Sequence, residues 1–308
     1  MKVSKSILDL VGNTPLIKVR DMEDVTGDNQ VLLKLEEFNV TGSVKVRIAK
    51  AMIEGAEGRG ELKKGSTIIE ATSGNTGLAI SAIGRGKGYR TIIVMPASMS
   101  EERKQLIKAY GAELVLTEGK AGMKGAIAKA EELKSEIPNS FIPSQFTNPD
   151  NPAAHYATTG PEIWKDTEGA VDVFIAGIGT GGTISGVAQY LKQKNPNVQI
   201  IGIEPEGSPI LTEGKAGPHK IMGIGAGFVP ETLNRDLIDE VVKVSDEAAF
   251  AGARKLASSQ QILSGISSGA AFSAALEIAQ RPEMKHKMIV VLLPDGGERY
   301  LSTGLFAE

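Results

Sequence analysis

Two hydrophobic rhythms alternate along the chain. Short apolar, β-branched runs read as buried strands at residues 31–35, 67–69, 91–95, 113–116, 172–176, 199–203 and 288–293. Stretches with helical spacing lie between them, at 76–86, 101–110, 122–133, 182–192, 246–258 and 268–279. A further helix is expected over about 44–56, with Thr41 or Ser43 as its cap. This alternation predicts an α/β fold, with open, mostly parallel sheets covered by helices on both faces. No short tandem repeat or low-complexity tract interrupts it. The turn-rich Asn148-Pro149-Asp150-Asn151-Pro152 is a candidate hinge that leaves several βα units on each side.

Composition narrows the chemistry. A chain of 308 residues can bury a full core and is long enough for two domains. Its net charge of −3 offers no basic field for nucleic acid or an anionic membrane. No apolar run approaches the ~20 residues of a membrane span. The start, Met1-Lys2-Val3-Ser4-Lys5-Ser6, leads into no signal-peptide core, so a cytoplasmic location is expected. Cysteine is absent, which excludes disulfides, thiolate zinc sites and a cysteine nucleophile. His155, His219 and His286 lie far apart without metal-ligand spacing, and no metal is expected. Lysine, hydroxyls, backbone amides or a cofactor must carry the reaction.

Three segments have the right residue types. Lys45 lies in Asn39-Val40-Thr41-Gly42-Ser43-Val44-Lys45-Val46-Arg47, in the first turn of the expected helix. An amine attacks an aldehyde only when unprotonated, and burial and the positive end of a helix both disfavour the ammonium form. Gly177-Ile178-Gly179-Thr180-Gly181-Gly182-Thr183 joins a strand to a helix. Its glycines let backbone amides approach an anion, the helix start adds a favourable field, and Thr180 and Thr183 add hydroxyls. It is not a dinucleotide fingerprint, because no ribose-binding acid follows at the right distance, and no Gly-Lys-Ser or Gly-Lys-Thr makes it a Walker loop. Thr72-Ser73-Gly74-Asn75-Thr76-Gly77 also opens a helix and forms a nest suited to a carboxylate. Each segment alone also fits a plain role: a surface lysine, a tight turn, a helix cap. A lysine at a helix start with a phosphate-type loop downstream suggests a Schiff-base lysine and a phosphorylated aldehyde cofactor.

Further motifs follow in a consistent order over essentially the whole chain. They are Gly12-Asn13-Thr14-Pro15-Leu16, Glu204-Pro205, Ser208-Pro209, Gly223-Ile224-Gly225-Ala226-Gly227-Phe228, Gly265-Ile266-Ser267-Ser268-Gly269 and Gly297-Glu298-Arg299-Tyr300-Leu301-Ser302-Thr303. With the three segments above, they resemble the fold-type II pyridoxal-phosphate (PLP) enzymes, of tryptophan synthase β-like architecture. Within that fold the chain is most similar to the cysteine synthase (O-acetylserine sulfhydrylase) and cystathionine β-synthase branch. The 223–228 segment points toward the cysteine synthase type.

The resemblance implies a division of labour. Lys45 would carry PLP and act as the base on the substrate. Gly179, Thr180, Gly181, Gly182 and Thr183 would hold the cofactor phosphate, Asn75 its 3-hydroxyl and Ser267 its pyridine nitrogen. Thr72, Ser73, Gly74, Asn75, Thr76 and Gln145 would hold the substrate. A smaller substrate-loop domain at 43–147 would be inserted into a larger PLP phosphate-binding domain, 1–42 plus 148–308, with the cofactor in the cleft.

The implied reaction is a β-replacement, first of all O-acetylserine with sulfide to L-cysteine and acetate. Serine or cysteine as donor, with homocysteine or cysteine as acceptor, would give cystathionine or lanthionine and release water or hydrogen sulfide. A serine or threonine dehydratase and a non-catalytic binder of the same fold stay open. The implied partners are a small amino acid, sulfide or a thiol, a second copy in a homodimer, and the C-terminal tail of serine acetyltransferase. Two residues depart from the family, which normally has Pro at Val40 and Asp at Val46. The second change forfeits about 0.3–1 kcal/mol of helix-dipole stabilisation. Both leave substrate preference and turnover open.

Overall fold

The computed structural model describes residues 3–307; Met1, Lys2 and Glu308 lie outside the described residues. Numbered in chain order, the strands are β1 (Leu16–Lys18), β2 (Gln30–Leu35), β3 (Thr67–Ala71), β4 (Arg90–Pro96), β5 (Glu113–Thr117), β6 (Ser140–Phe141), β7 (Val173–Gly177), β8 (Gln199–Pro205), β9 (Glu240–Val244) and β10 (Met288–Leu293). The helices are α1 (Glu23–Thr26), α2 (Lys45–Arg59), α3 (Asn75–Gly86), α4 (Glu101–Ala109), α5 (Gly122–Glu136), α6 (Asp150–Ala157), α7 (Thr159–Asp166), α8 (Gly182–Lys194), α9 (Ile210–Glu213), α10 (Asp246–Lys255) and α11 (Ile266–Ala279). They form two compact units. One combines Lys45–Asp150 with the N-terminal residues through Val11; the other takes Gly12–Val44 and the chain from Asn151 onward.

The first unit is built on a four-stranded parallel sheet in the order β5-β4-β3-β6. Successive side chains of a strand point to opposite faces. Ile69, Ile92 and Val94 pack with Ala126 and Ala130 of α5. The alternate positions Ile68, Ile93 and Met95 are fully buried too, and α3 packs on this sheet and on α2. Burial on both faces explains why these strands read as continuous apolar runs.

The second unit holds a six-stranded sheet in the order β1-β2-β10-β7-β8-β9. Only the short β1 runs antiparallel to its neighbour; the other pairs are parallel. Val173 and Ile175 of β7 join a core with Phe272 and Ile278 of α11 and Ala249 and Ala253 of α10. Phe174 and Ala176, one residue out of step, join a second core with Ile184, Val187 and Leu191 of α8. The expected α/β architecture, with helices on both faces, is what the chain adopts. The Gly12–Leu16 stretch is tied down by hydrogen bonds. Thr14 donates its hydroxyl to Glu36 at 2.6 Å, and the fully buried Lys34 donates to the Thr14 carbonyl at 2.6 Å while pairing with Glu162 at 2.9 Å. A buried ammonium needs such pairing.

Several local expectations are corrected. Neither Thr41 nor Ser43 caps α2: both hydroxyls are buried without a hydrogen-bond partner, and Thr41 sits at φ 66 in a tight 3-10 turn. The stretch at 148–152 is not all turn, because α6 already begins at Asp150; Pro152 falls in its first turn, where its missing N–H breaks no helical bond. α10 ends at Lys255 and passes into a wide turn at Leu256–Gln260. Among the described residues no helix is long and apolar enough to cross a membrane.

Candidate active site

The second glycine loop is shaped for an anion. Gly181, the residue before α8, adopts the left-handed conformation at φ 80 and has no side chain with which to cap the helix. The first backbone bond into α8 is Ser185 N–H to the Gly181 carbonyl, so the amides of Thr183 and Ile184 precede it. A Cβ on Gly179 would lie 2.3 Å from the Gly223 carbonyl oxygen, so the two backbones meet there as only glycine allows. A small hollow on the far side of Gly179 is lined in part by Gly179, Gly225 and Phe228. An uncapped helix start, small residues and flanking hydroxyls fit a phosphate group.

Residues that the sequence did not single out hold this loop. Asn151 donates to the Thr180 hydroxyl at 3.0 Å, and the Thr232 hydroxyl donates to the Thr180 carbonyl at 2.5 Å. The Thr183 hydroxyl lies 3.1 Å from Nε2 of His155, whose Nδ1 is 2.8 Å from the Thr159 hydroxyl. Asn151 and His155 are almost wholly buried. Ser267, buried as the second residue of α11, is brought to the same place: a Cβ on Gly223 would sit 3.4 Å from its Oγ. Ser267 does not cap that helix, because Gly265 occupies the cap position. Glu204 also borders the hollow, but its carboxylate is committed to Leu211 and Thr212 at 2.5–3.1 Å.

The first unit carries the remaining candidates. Lys45 is the half-buried first residue of α2, between the buried Val44 and Val46. Asn75 is the first residue of α3, and Gly74 before it makes no side-chain cap bond. The Thr72 hydroxyl accepts from the Gly74 amide at 3.4 Å, and Arg103 donates to the Ser73 carbonyl at 2.9 Å. Gln145 is distant in sequence but reaches this loop: the buried Thr76 hydroxyl donates to its Oε1 at 2.7 Å. Beneath the loop lies Glu70, another residue the sequence did not single out. Its carboxylate accepts from the Ser144 amide at 3.0 Å. Burial pushes the Glu70 carboxyl up to about 7, against the opposing effect of the Ser144 and Gln145 amides.

The chain is similar to known proteins along nearly its whole length. The family model described as "Pyridoxal-phosphate dependent enzyme" matches residues 7–295. A cysteine synthase of Staphylococcus aureus is 51% identical over 305 residues, covering 98% of this chain and 97% of its own length. The crystal structure of a cysteine synthase from Entamoeba histolytica superimposes with a TM-score of 0.96 at 44% identity, over 100% of this chain and 92% of that one. A hydrogen sulfide-producing enzyme from Fusobacterium nucleatum superimposes with a TM-score of 0.94 at 47% identity, over 98% and 99% of the two chains. A phosphate-shaped loop, a helix-start lysine and this end-to-end similarity lead to one conclusion: the chain belongs to the pyridoxal-phosphate dependent enzyme family.

Proposed function

We propose that the protein is a cysteine synthase, converting O-acetyl-L-serine and sulfide to L-cysteine and acetate. The observation that carries this reading is the 51% identity to a cysteine synthase over nearly the full length of both chains. Lys45 would hold PLP through its Nζ. The amides and hydroxyls of Gly179, Thr180, Gly181, Gly182 and Thr183 would bind its phosphate, and Asn75 its 3-hydroxyl. PLP, when bound, supplies an electron sink for the pair left on Cα once the α-proton is gone. Ser267 would face the ring nitrogen with a neutral hydroxyl, which favours prompt loss of a β-substituent over transamination or racemisation.

The chain's own groups then divide the work. Thr72, Ser73, Gly74, Asn75, Thr76 and Gln145 orient the amino acid by its α-carboxylate. Lys45 Nζ, freed once the substrate's own amine takes its place, takes the proton from Cα, and acetate departs from Cβ with the electrons of the broken C–O bond. Hydrosulfide adds to Cβ, and Lys45 returns a proton to Cα. The smaller part of the chain, 43–147, would serve the substrate, and the rest the cofactor phosphate. A cytoplasmic homodimer that binds the C-terminal tail of serine acetyltransferase completes the proposal, by analogy with the family.

The hydrogen sulfide-producing relative supports a second reading, in which cysteine is the donor and sulfide the product. One panel separates them: products from O-acetylserine, serine and cysteine, each with and without sulfide, homocysteine or cysteine. Cysteine formed fastest from O-acetylserine and sulfide is the expected result. Faster sulfide release from cysteine establishes the second reading instead. Lys45→Ala should lose the visible absorbance of lysine-bound PLP and at least roughly a hundredfold in turnover. A colourless parent that cannot be reconstituted with PLP would defeat both readings.

A further inference from the structure

The roles above leave unused a buried acid just before the first glycine loop. Glu70 is 4% exposed on β3, two residues before Thr72. An apolar residue would fill a strand interior at less cost, since a buried carboxylate loses its hydration. Here its Oε2 accepts the Ser144 amide at 3.0 Å, and the Gln145 amide bonds to the same carboxylate. Ser144 adopts φ 56, uncommon for a residue with a side chain. Its carbonyl accepts from Thr147 and Asn148 at 3.0 Å each, so the turn is held from both sides. The next residue, Gln145, has its Oε1 on the Thr76 hydroxyl at 2.7 Å. That contact turns the donor end of the amide, Nε2, toward whatever else Gln145 binds.

We infer that Glu70 is a positioning residue for the substrate's α-carboxylate: by gripping the Ser144 and Gln145 amides, it sets the Gln145 side chain against Thr76 in the carboxylate nest. The inference rests on the proposed role of residues 72–76 and Gln145. A carboxylate can accept from two adjacent amides at once. A glutamine presents its own NH₂ to one of them, so Glu70→Gln keeps the volume and loosens the grip.

The test uses the holoenzyme and the variants Glu70→Gln, Glu70→Asp, Gln145→Ala and the double variant Glu70→Gln/Gln145→Ala. The readouts are KM for O-acetylserine, kcat, the Kd of L-alanine from its spectral change on the bound cofactor, and the melting temperature. At pH 8, where the carboxylate form prevails, Glu70→Gln should raise KM and the L-alanine Kd about tenfold, the worth of one hydrogen bond to a charged group, with kcat within about twofold. Glu70→Asp, which keeps the charge but withdraws it, should raise both less, and it carries the test if the glutamine variant does not fold. Adding Glu70→Gln to Gln145→Ala should change the Kd little further. A lowered melting temperature with KM and Kd unchanged overturns the inference, as does independent multiplication of the two effects. Should Gln145→Ala and Ser73→Ala both leave the L-alanine Kd unchanged, the carboxylate reading itself fails, and the role of Glu70 with it.

Discussion

Both ring nitrogens of His155 meet threonine hydroxyls, Thr159 on one side and Thr183 on the other. The imidazole is thereby fixed, and the Thr183 hydroxyl is held at the start of α8. Replacing it by phenylalanine removes one hydrogen bond to Thr183, worth about 1 kcal/mol. His155→Phe should therefore weaken PLP binding about fivefold, measured by equilibrium dialysis, while Lys45 still gives the coloured protein. Unchanged affinity would mean that Thr183 does not touch the phosphate. Sequence reading saw His155 only as one of three scattered histidines. Its partners lie 4 and 28 residues away on other elements, and only the fold brings them together. Glu70 escaped for a related reason: an acid after an apolar run marks the end of a strand, and β3 was expected to stop at residue 69. Lys45 and the loop glycines could be proposed from the sequence because their chemistry is written in adjacent residues.

At the level of elements, the two glycine loops differ in how much they tolerate. A methyl on Gly179 would meet the Gly223 carbonyl, which is backbone and cannot swing aside, whereas a methyl on Gly74 has nothing within 4 Å. Gly74 also sits at φ −121, an extended conformation open to any residue. Gly179→Ala should lower stability by about 1–3 kcal/mol and release PLP, because the loop must move. Gly74→Ala should melt like the parent and keep PLP, yet raise KM for O-acetylserine by crowding the nest. Thermal melts and cofactor absorbance read both outcomes. The β7-loop-α8 unit was legible because an apolar run, a glycine cluster and a helical period follow one another without a gap. β9 was not, because its Val241 and Val242 are only half-buried beside Glu240 and Lys243 at the sheet edge. α6 and α7 were hidden by Pro152, Gly160 and Pro161, which read as turn formers until the helix starts are seen.

Across the whole molecule, one pairing of the larger sheet joins residues far apart in the chain, Leu33 of β2 with Val291 of β10, and no local pattern encodes it. The parallel α/β class was legible; the strand order needed the fold. Stability at this scale depends on acids held in unfavourable surroundings. Burial lifts Glu70 from 4.5 to about 7, and burial, together with the charges of Glu298 and Asp295, lifts Glu37 to about 6 against the Ser264 hydrogen bond. Between about pH 4.5 and 7 the folded chain keeps a proton on Glu70 that the unfolded chain has released. More protons bound in the folded state mean that stability falls as pH rises through that window, with the full cost present above about pH 7. Glu101, Glu113 and Glu213 are lowered by Lys104, Arg90 and Lys243, so their contributions are lost only in acid, below the window. Comparing Glu70→Gln with the parent cancels every group but one. The unfolding free energy of the variant should gain on the parent from pH 5 to pH 8, by on the order of 3 kcal/mol at most. Urea unfolding of the holoenzyme at fixed pH measures it. A difference that stays flat across the range would show Glu70 already ionised in the fold at pH 5. A rising difference means that the carboxylate form, the one that grips Ser144 and Gln145, is kept at the expense of stability.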